Sequence, residues 1–177
     1  MLEQRIPSSS FFSDPHRACV GRVLDRIRTF YGSRLAALVV YGSYAQGRPR
    51  LNSDLDLFIV LDRGTRYRLS LRNEEFVRNV EQACEEELQA LYRQGISMEL
   101  SPLILHSDEA RNFLPVYLDM VSHRVVIEDR DGFFERILDR VKGQMSRWGS
   151  RRVEMGGHWV WEIRPNMKWN EVIRYDE

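Results

Sequence analysis

Apolar residues recur at Val20, Val23, Leu24, Ile27 and Phe30, the spacing of one helix face, after a Ser13-Asp14-Pro15 start signal. A first helix is therefore predicted from 15 to 31, entered through a loose SSSFFSDP segment. Leu35 to Tyr41 (LAALVVY) is a short apolar run ending at Gly42-Ser43, the pattern of a buried strand feeding a turn, and Asp54 to Leu61 (DLDLFIVL) is a second. Between them YAQGRPRLNS is rich in Gly, Pro and Arg, with one helical turn assigned to Tyr44-Ala45-Gln46 before the loop.

Phe76, Val77, Val80, Cys84, Leu88 and Leu91 lie at helical spacing in a polar segment, so a long helix is predicted over 70–93, stopped by Gly95. In ISMELSPLIL, Ile96, Met98 and Leu100 alternate with Ser97, Glu99 and Ser101, as in a half-exposed strand, and Pro102 marks a sheet edge or an irregularity. Helical patterns follow over 108–122 and 132–148, with a brief strand or helix lead-in at Val125 to Ile127. The Gly-, Arg- and Trp-rich tail carries WVWEIRP, which reads as a strand closing at Pro165, in a hairpin or against a partner. The order of elements predicts an α/β (α+β) fold, a small mixed sheet flanked by helices. Residues 1–125 form its main domain, and 126–177 a C-terminal helix and Trp/Arg-rich extension packed on the same domain or on a partner.

A chain of 177 residues accommodates this as one domain with a short appendage. Lys plus Arg equals Asp plus Glu at 26 each, so no general charge draws the chain to nucleic acid. The first twenty residues lack a continuous apolar stretch, and no later segment approaches the about 18 apolar residues of a membrane span, so a cytoplasmic protein is expected. Cys19 and Cys84 are far apart without neighbouring ligand pairs and read as packing residues.

The central segment carries the candidate chemistry. Gly42 lets the backbone approach a phosphate, and the amide and hydroxyl of Ser43 can donate to its oxygens. Asp54 and Asp56, two apart in a strand, project from one face, where paired hard oxygens suit magnesium and repel each other without a cation. Leu55, Leu57 and Ile59 then point to the core. Ser53-Asp54 also fits a turn cap, with Asp56 an exposed strand residue. Arg48 and Arg50 fit either contacts to a polyphosphate or a solvated loop.

The whole string VVYGSYAQGRPRLNSDLDLFIVLD, with Gly-Ser, ten intervening residues and then Asp-x-Asp, closely resembles the signature of the polymerase-beta-like nucleotidyltransferase superfamily, in its small stand-alone minimal nucleotidyltransferase branch. The resemblance implies transfer of a nucleoside monophosphate, AMP from ATP, to an acceptor hydroxyl. Gly42, Ser43, Arg48 and Arg50 would bind the nucleotide, and Asp54 and Asp56 two magnesium ions. It also implies a third carboxylate on a later strand, for which Glu99 is the candidate, although many minimal members carry Asp there; Gln46 stands where the family often has Arg. Among small members the acceptor suggested is a HEPN-domain toxin silenced by its antitoxin. The alternatives are a small-molecule transferase of the aminoglycoside type and a non-catalytic nucleotide- or partner-binding module.

Other residues invite weaker readings. His16, His106, His123 and His158 show no metal-ligand spacing and read as surface or core residues. Glu85, Glu86 and Glu87 fan around a helix and cannot converge on one ion. Arg147, Arg151 and Arg152 with Trp148, Trp159, Trp161 and Trp169 resemble a base-stacking surface, but Glu154, Glu162 and Glu171 dilute the charge, and packing on the domain or a partner is the expectation.

Overall fold

The computed structural model describes residues 15–62, 68–156, 158–165, 167–168 and 170–171. The predicted loose entry with Ser13-Asp14, and Trp169, lie outside them. Helix α1 (His16–Tyr31) buries Val20, Val23, Leu24 and Ile27 of the stripe read from the sequence, together with Cys19, while Phe30 is only partly buried.

Strands β1 (Leu35–Val40) and β2 (Leu55–Leu61) pair antiparallel and are buried throughout, except for half-buried Asp56. A short turn, α2 (Gly42–Ala45), follows β1. Strand β3 (Leu100–His106) runs parallel to β2, and β4 (Val125–Asp129) antiparallel to β1, giving a mixed sheet of order β3-β2-β1-β4. Alternate residues of β2 serve two cores: Leu55, Leu57 and Ile59 face α1, while Phe58 and Val60 join the core under the C-terminal helices. Two-sided burial explains the near-continuous apolar runs.

The helix predicted over 70–93 is divided. It comprises α3 (Leu69–Phe76), a π turn (Val77–Glu81), a 3-10 turn (Gln82–Cys84) and α4 (Glu85–Tyr92). Phe76, Val80 and Cys84 are four residues apart, a spacing that drifts off one face of a regular helix; wider π winding slows the drift, and all three are fully buried. The helix predicted over 108–122 is also divided, into α5 (Ser107–Ala110) and α6 (Val116–Ser122), because Pro115 cannot continue a hydrogen-bonded helix. Tyr117 bridges the break, its hydroxyl donating to the Ala110 carbonyl at 2.5 Å.

The strand predicted from Ile96 begins at Leu100. Ile96 and Met98 are buried and Ser97 and Glu99 exposed, so the alternation is real, but these residues precede the sheet pairing. Pro102 sits on the edge strand. After β4, α7 (Phe133–Trp148) buries Phe134, Ile137, Leu138 and Val141 against the sheet. The tail forms a hairpin, β5 (Arg151–Met155) and β6 (His158–Glu162). Trp161 packs against the α6–α7 core and donates from Nε1 to Asp119 at 2.9 Å. No helix among the described residues is long and apolar enough to cross a membrane.

Candidate active site

The end of β1 and the start of β2 meet through a backbone bond from the Tyr41 amide to the Asp56 carbonyl, 3.1 Å. There the chain turns sharply at Gly42, with φ at +66°, a left-handed conformation that disfavours side chains. A Cβ on Gly42 would lie 1.9 Å from Asp56 Oδ2 and 2.9 Å from its Cγ. The glycine is thus needed twice, for the turn and for the space that the carboxylate fills.

The α2 turn closes on itself through Gln46 amide to Gly42 carbonyl at 3.2 Å and Arg48 amide to Ser43 carbonyl at 3.0 Å. Ser43 is half-buried, and among the described residues no protein group bonds its hydroxyl. Arg48 and Arg50 are exposed and make no ion pair among the described residues. The loop is closed by a second turn, in which the Arg50 amide donates to Ser53 Oγ at 2.8 Å and the Ser53 amide to the Arg50 carbonyl at 3.2 Å. Ser53 therefore does act as a turn residue, and leaves Asp54 exposed beside it.

Asp56 is half-buried, and burial first, then the charge of Asp54, pushes its carboxyl up to about 6. Both effects penalise the ionised pair, and a cation would relieve both. Tyr41 registers the same charge: its hydroxyl is pushed up to about 12 by burial and by Asp56. Glu99 lies one residue before β3, and its carbonyl accepts the Leu55 amide at 2.8 Å, so its backbone adjoins Asp54 and Leu55. Its side chain is exposed and acts electrostatically on Glu81, whose carboxyl is raised by burial, by Glu85 and by Glu99. Among the described residues no three carboxylate, imidazole or thiolate groups converge closely enough to hold a metal ion. The structure brings Asp54 and Asp56 together and keeps the Glu99 backbone alongside. Two carboxylates fit magnesium, which takes one or two from protein and the rest of its shell from water and substrate phosphates.

Two neighbours escaped the sequence reading. Ser101 pairs in register with Asp56, so it shares its face of the sheet; the alternation that marked Glu99 marks Ser101 equally. His16, grouped with the scattered histidines, is buried, its Nδ1 2.9 Å from the hydroxyl of Tyr44. No short motif links residues 28 positions apart. Glu85, Glu86 and Glu87 form the first turn of α4, spread around it as expected, and no metal cluster forms there among the described residues.

The nucleotidyltransferase domain family matches residues 20–140. A Methanocaldococcus jannaschii protein, assigned provisionally as a protein adenylyltransferase, is 25% identical over 126 residues, 70% of this chain and 79% of that one. Two solved structures are similar at greater distance. One, a mutant MntA–HpeT toxin–antitoxin complex, covers 76% of this chain and 92% of its own at 14% identity and a TM-score of 0.41. The other, a toxin–antitoxin with AMP-PNP, covers 71% and 92% at 12% identity and a TM-score of 0.38. These two likenesses are too distant to bear on the chemistry. The family match spans more than half of the sequence and includes the Gly42 turn and both aspartates: the chain belongs to the nucleotidyltransferase domain family and is a nucleotidyltransferase.

Proposed function

We propose that this enzyme transfers AMP from ATP to a hydroxyl of a partner protein, and that the partner is a HEPN-domain toxin that the modification silences. The observation that carries the catalytic part is the packing of Gly42 on the Asp56 carboxylate, which joins a phosphate cradle directly to a cation-seeking acidic pair. A protein acceptor is supported by the relative assigned as a protein adenylyltransferase. The toxin as acceptor rests on the resemblance of the Val39 to Asp62 string to minimal nucleotidyltransferases.

In this reading Gly42 and Ser43 orient the triphosphate, and Arg48 and Arg50 neutralise its outer charge. Asp54 and Asp56 would hold two magnesium ions, and Glu99, whose backbone lies alongside, would support them by turning its exposed side chain toward the pair. When bound, magnesium supplies charge neutralisation on the leaving pyrophosphate and acidifies the acceptor hydroxyl. The acceptor oxygen bonds to the α-phosphorus, the bond from that phosphorus to the bridging oxygen breaks, pyrophosphate leaves, and the hydroxyl proton passes to a carboxylate or water.

The test is incubation with α-labelled ATP, magnesium and lysate from the source organism, beside an Asp54→Ala, Asp56→Ala double variant. Label on one protein band, only with the intact enzyme, is expected and identifies the acceptor. Label on small molecules would replace the protein acceptor with a small one, and binding without any transfer would leave a nucleotide-binding module.

A further inference from the structure

We propose that His16 and Tyr44 are positioning residues for the nucleotide, locking the turn that carries Ser43; this rests on the reading of Ser43 as a phosphate-binding residue.

The α2 turn has four residues, too few to persist on local hydrogen bonds. Beyond it Gln46, Gly47 and Arg48 are exposed and give it no packing. Its main anchor, beside Ala45 packed against the same core, is Tyr44, 1% exposed, which drops into the core against α1. A buried phenol needs a polar partner, and His16, at the first turn of α1 and itself 7% exposed, supplies one at 2.9 Å. The two rings meet edge to face, with centroids 5.5 Å apart. Burial lowers the His16 pKa, which favours the neutral imidazole, able to accept the phenol hydrogen at Nδ1.

The turn is thereby pinned at two points. Gly42 abuts the Asp56 carboxylate, and Tyr44, two residues on, is tied to α1. Ser43 lies between the pins, so the direction of its amide and hydroxyl is set by both. Releasing the second pin leaves the sheet and its carboxylates in place and lets the turn pivot about Gly42, which loosens the grip on phosphate.

The experiment is calorimetric titration of the full chain with magnesium and a non-hydrolysable ATP analogue, with melting temperatures measured in parallel. Tyr44→Phe and His16→Phe each remove the hydrogen bond and keep a ring; both are expected to raise Kd about fivefold, the effect of one lost hydrogen bond, while His16→Gln, which keeps a partner, stays within about twofold of wild type. A purely structural role predicts lower melting temperatures with Kd unchanged well below the transition, and that result overturns the proposal. An equal rise in His16→Gln overturns the hydrogen bond as its cause. Absence of analogue binding by the wild-type chain would sink both this inference and the proposed function, whereas normal wild-type binding with unaffected variants sinks this inference alone.

Discussion

Gly42 and Asp56 occupy one another's space: the hydrogen that a larger residue would replace with Cβ points at a carboxylate oxygen, 1.9 Å from where that carbon would stand. Gly42→Ala must displace either the turn or the carboxylate. Transfer is expected to fall about 100-fold, the cost of misplacing a reacting group by an ångström, while the left-handed backbone costs only about 1 kcal/mol of stability. Rates and urea denaturation of the same preparation check this; near-wild-type transfer would show that the carboxylate has no fixed position in catalysis.

Burial and the neighbouring Asp54 push the Asp56 carboxyl up to about 6, so the folded state binds its proton more tightly than the unfolded chain. Its contribution to stability is complete below the unfolded value and is lost as pH rises through about 6. In metal-free buffer Asp56→Asn should therefore gain in melting temperature over wild type as pH rises across that window. Magnesium added at high pH should stabilise wild type and leave Asp56→Asn unchanged.

Proton and cation compete for the same carboxylates. The acid limb of the transfer rate is expected to move to lower pH as magnesium is raised from limiting to saturating. A limb that stays fixed across a magnesium series would assign it to another group.

Glu99 adjoins the acidic pair through its backbone, with its side chain exposed. Glu99→Gln is expected to slow transfer about tenfold, the scale of losing a supporting partner of a metal site. Asp56→Asn should abolish transfer. Steady-state rates at saturating magnesium compare the two, and equal losses would give Glu99 the same standing as the aspartates.

Far from the site, at the other end of β3, Arg72 is buried and makes two bonds to Glu109, at 2.5 and 2.9 Å. Its Nε has no partner among the described residues. Glu109→Ala strands a buried guanidinium and should cost about 2 kcal/mol, less than a fully buried pair because Glu109 is half exposed. Arg72→Met removes the stranded charge and should cost less. Denaturant titrations of both variants give the order, which reverses if the carboxylate contributes little.

Elements set by local pattern were legible in the sequence: α1, the two central strands and α7 follow from periodicity, and the fold class from their order, whereas of the tail hairpin only its second strand was legible. The Gly-Ser and Asp-x-Asp spacing carried the family, since both ends of that string are short-range. What stayed hidden depends on partners distant in sequence. Val80 and Cys84 shape the π turn through the α1 surface they meet, and β3 starts at Leu100 because β2 begins pairing at Leu55. His16 looked inert because its meaning lies in Tyr44, in another element. Pro115 is a purely local signal, and it does divide the helix.

One of the two margins of the sheet is β3, an edge strand of the kind that could recruit another extended chain and seed fibrils. Pro102 contributes no amide hydrogen there, two residues into the strand, so a foreign backbone laid along it meets a gap in the ladder it would need. The proline on this edge thus disfavours edge-to-edge pairing between copies of the chain.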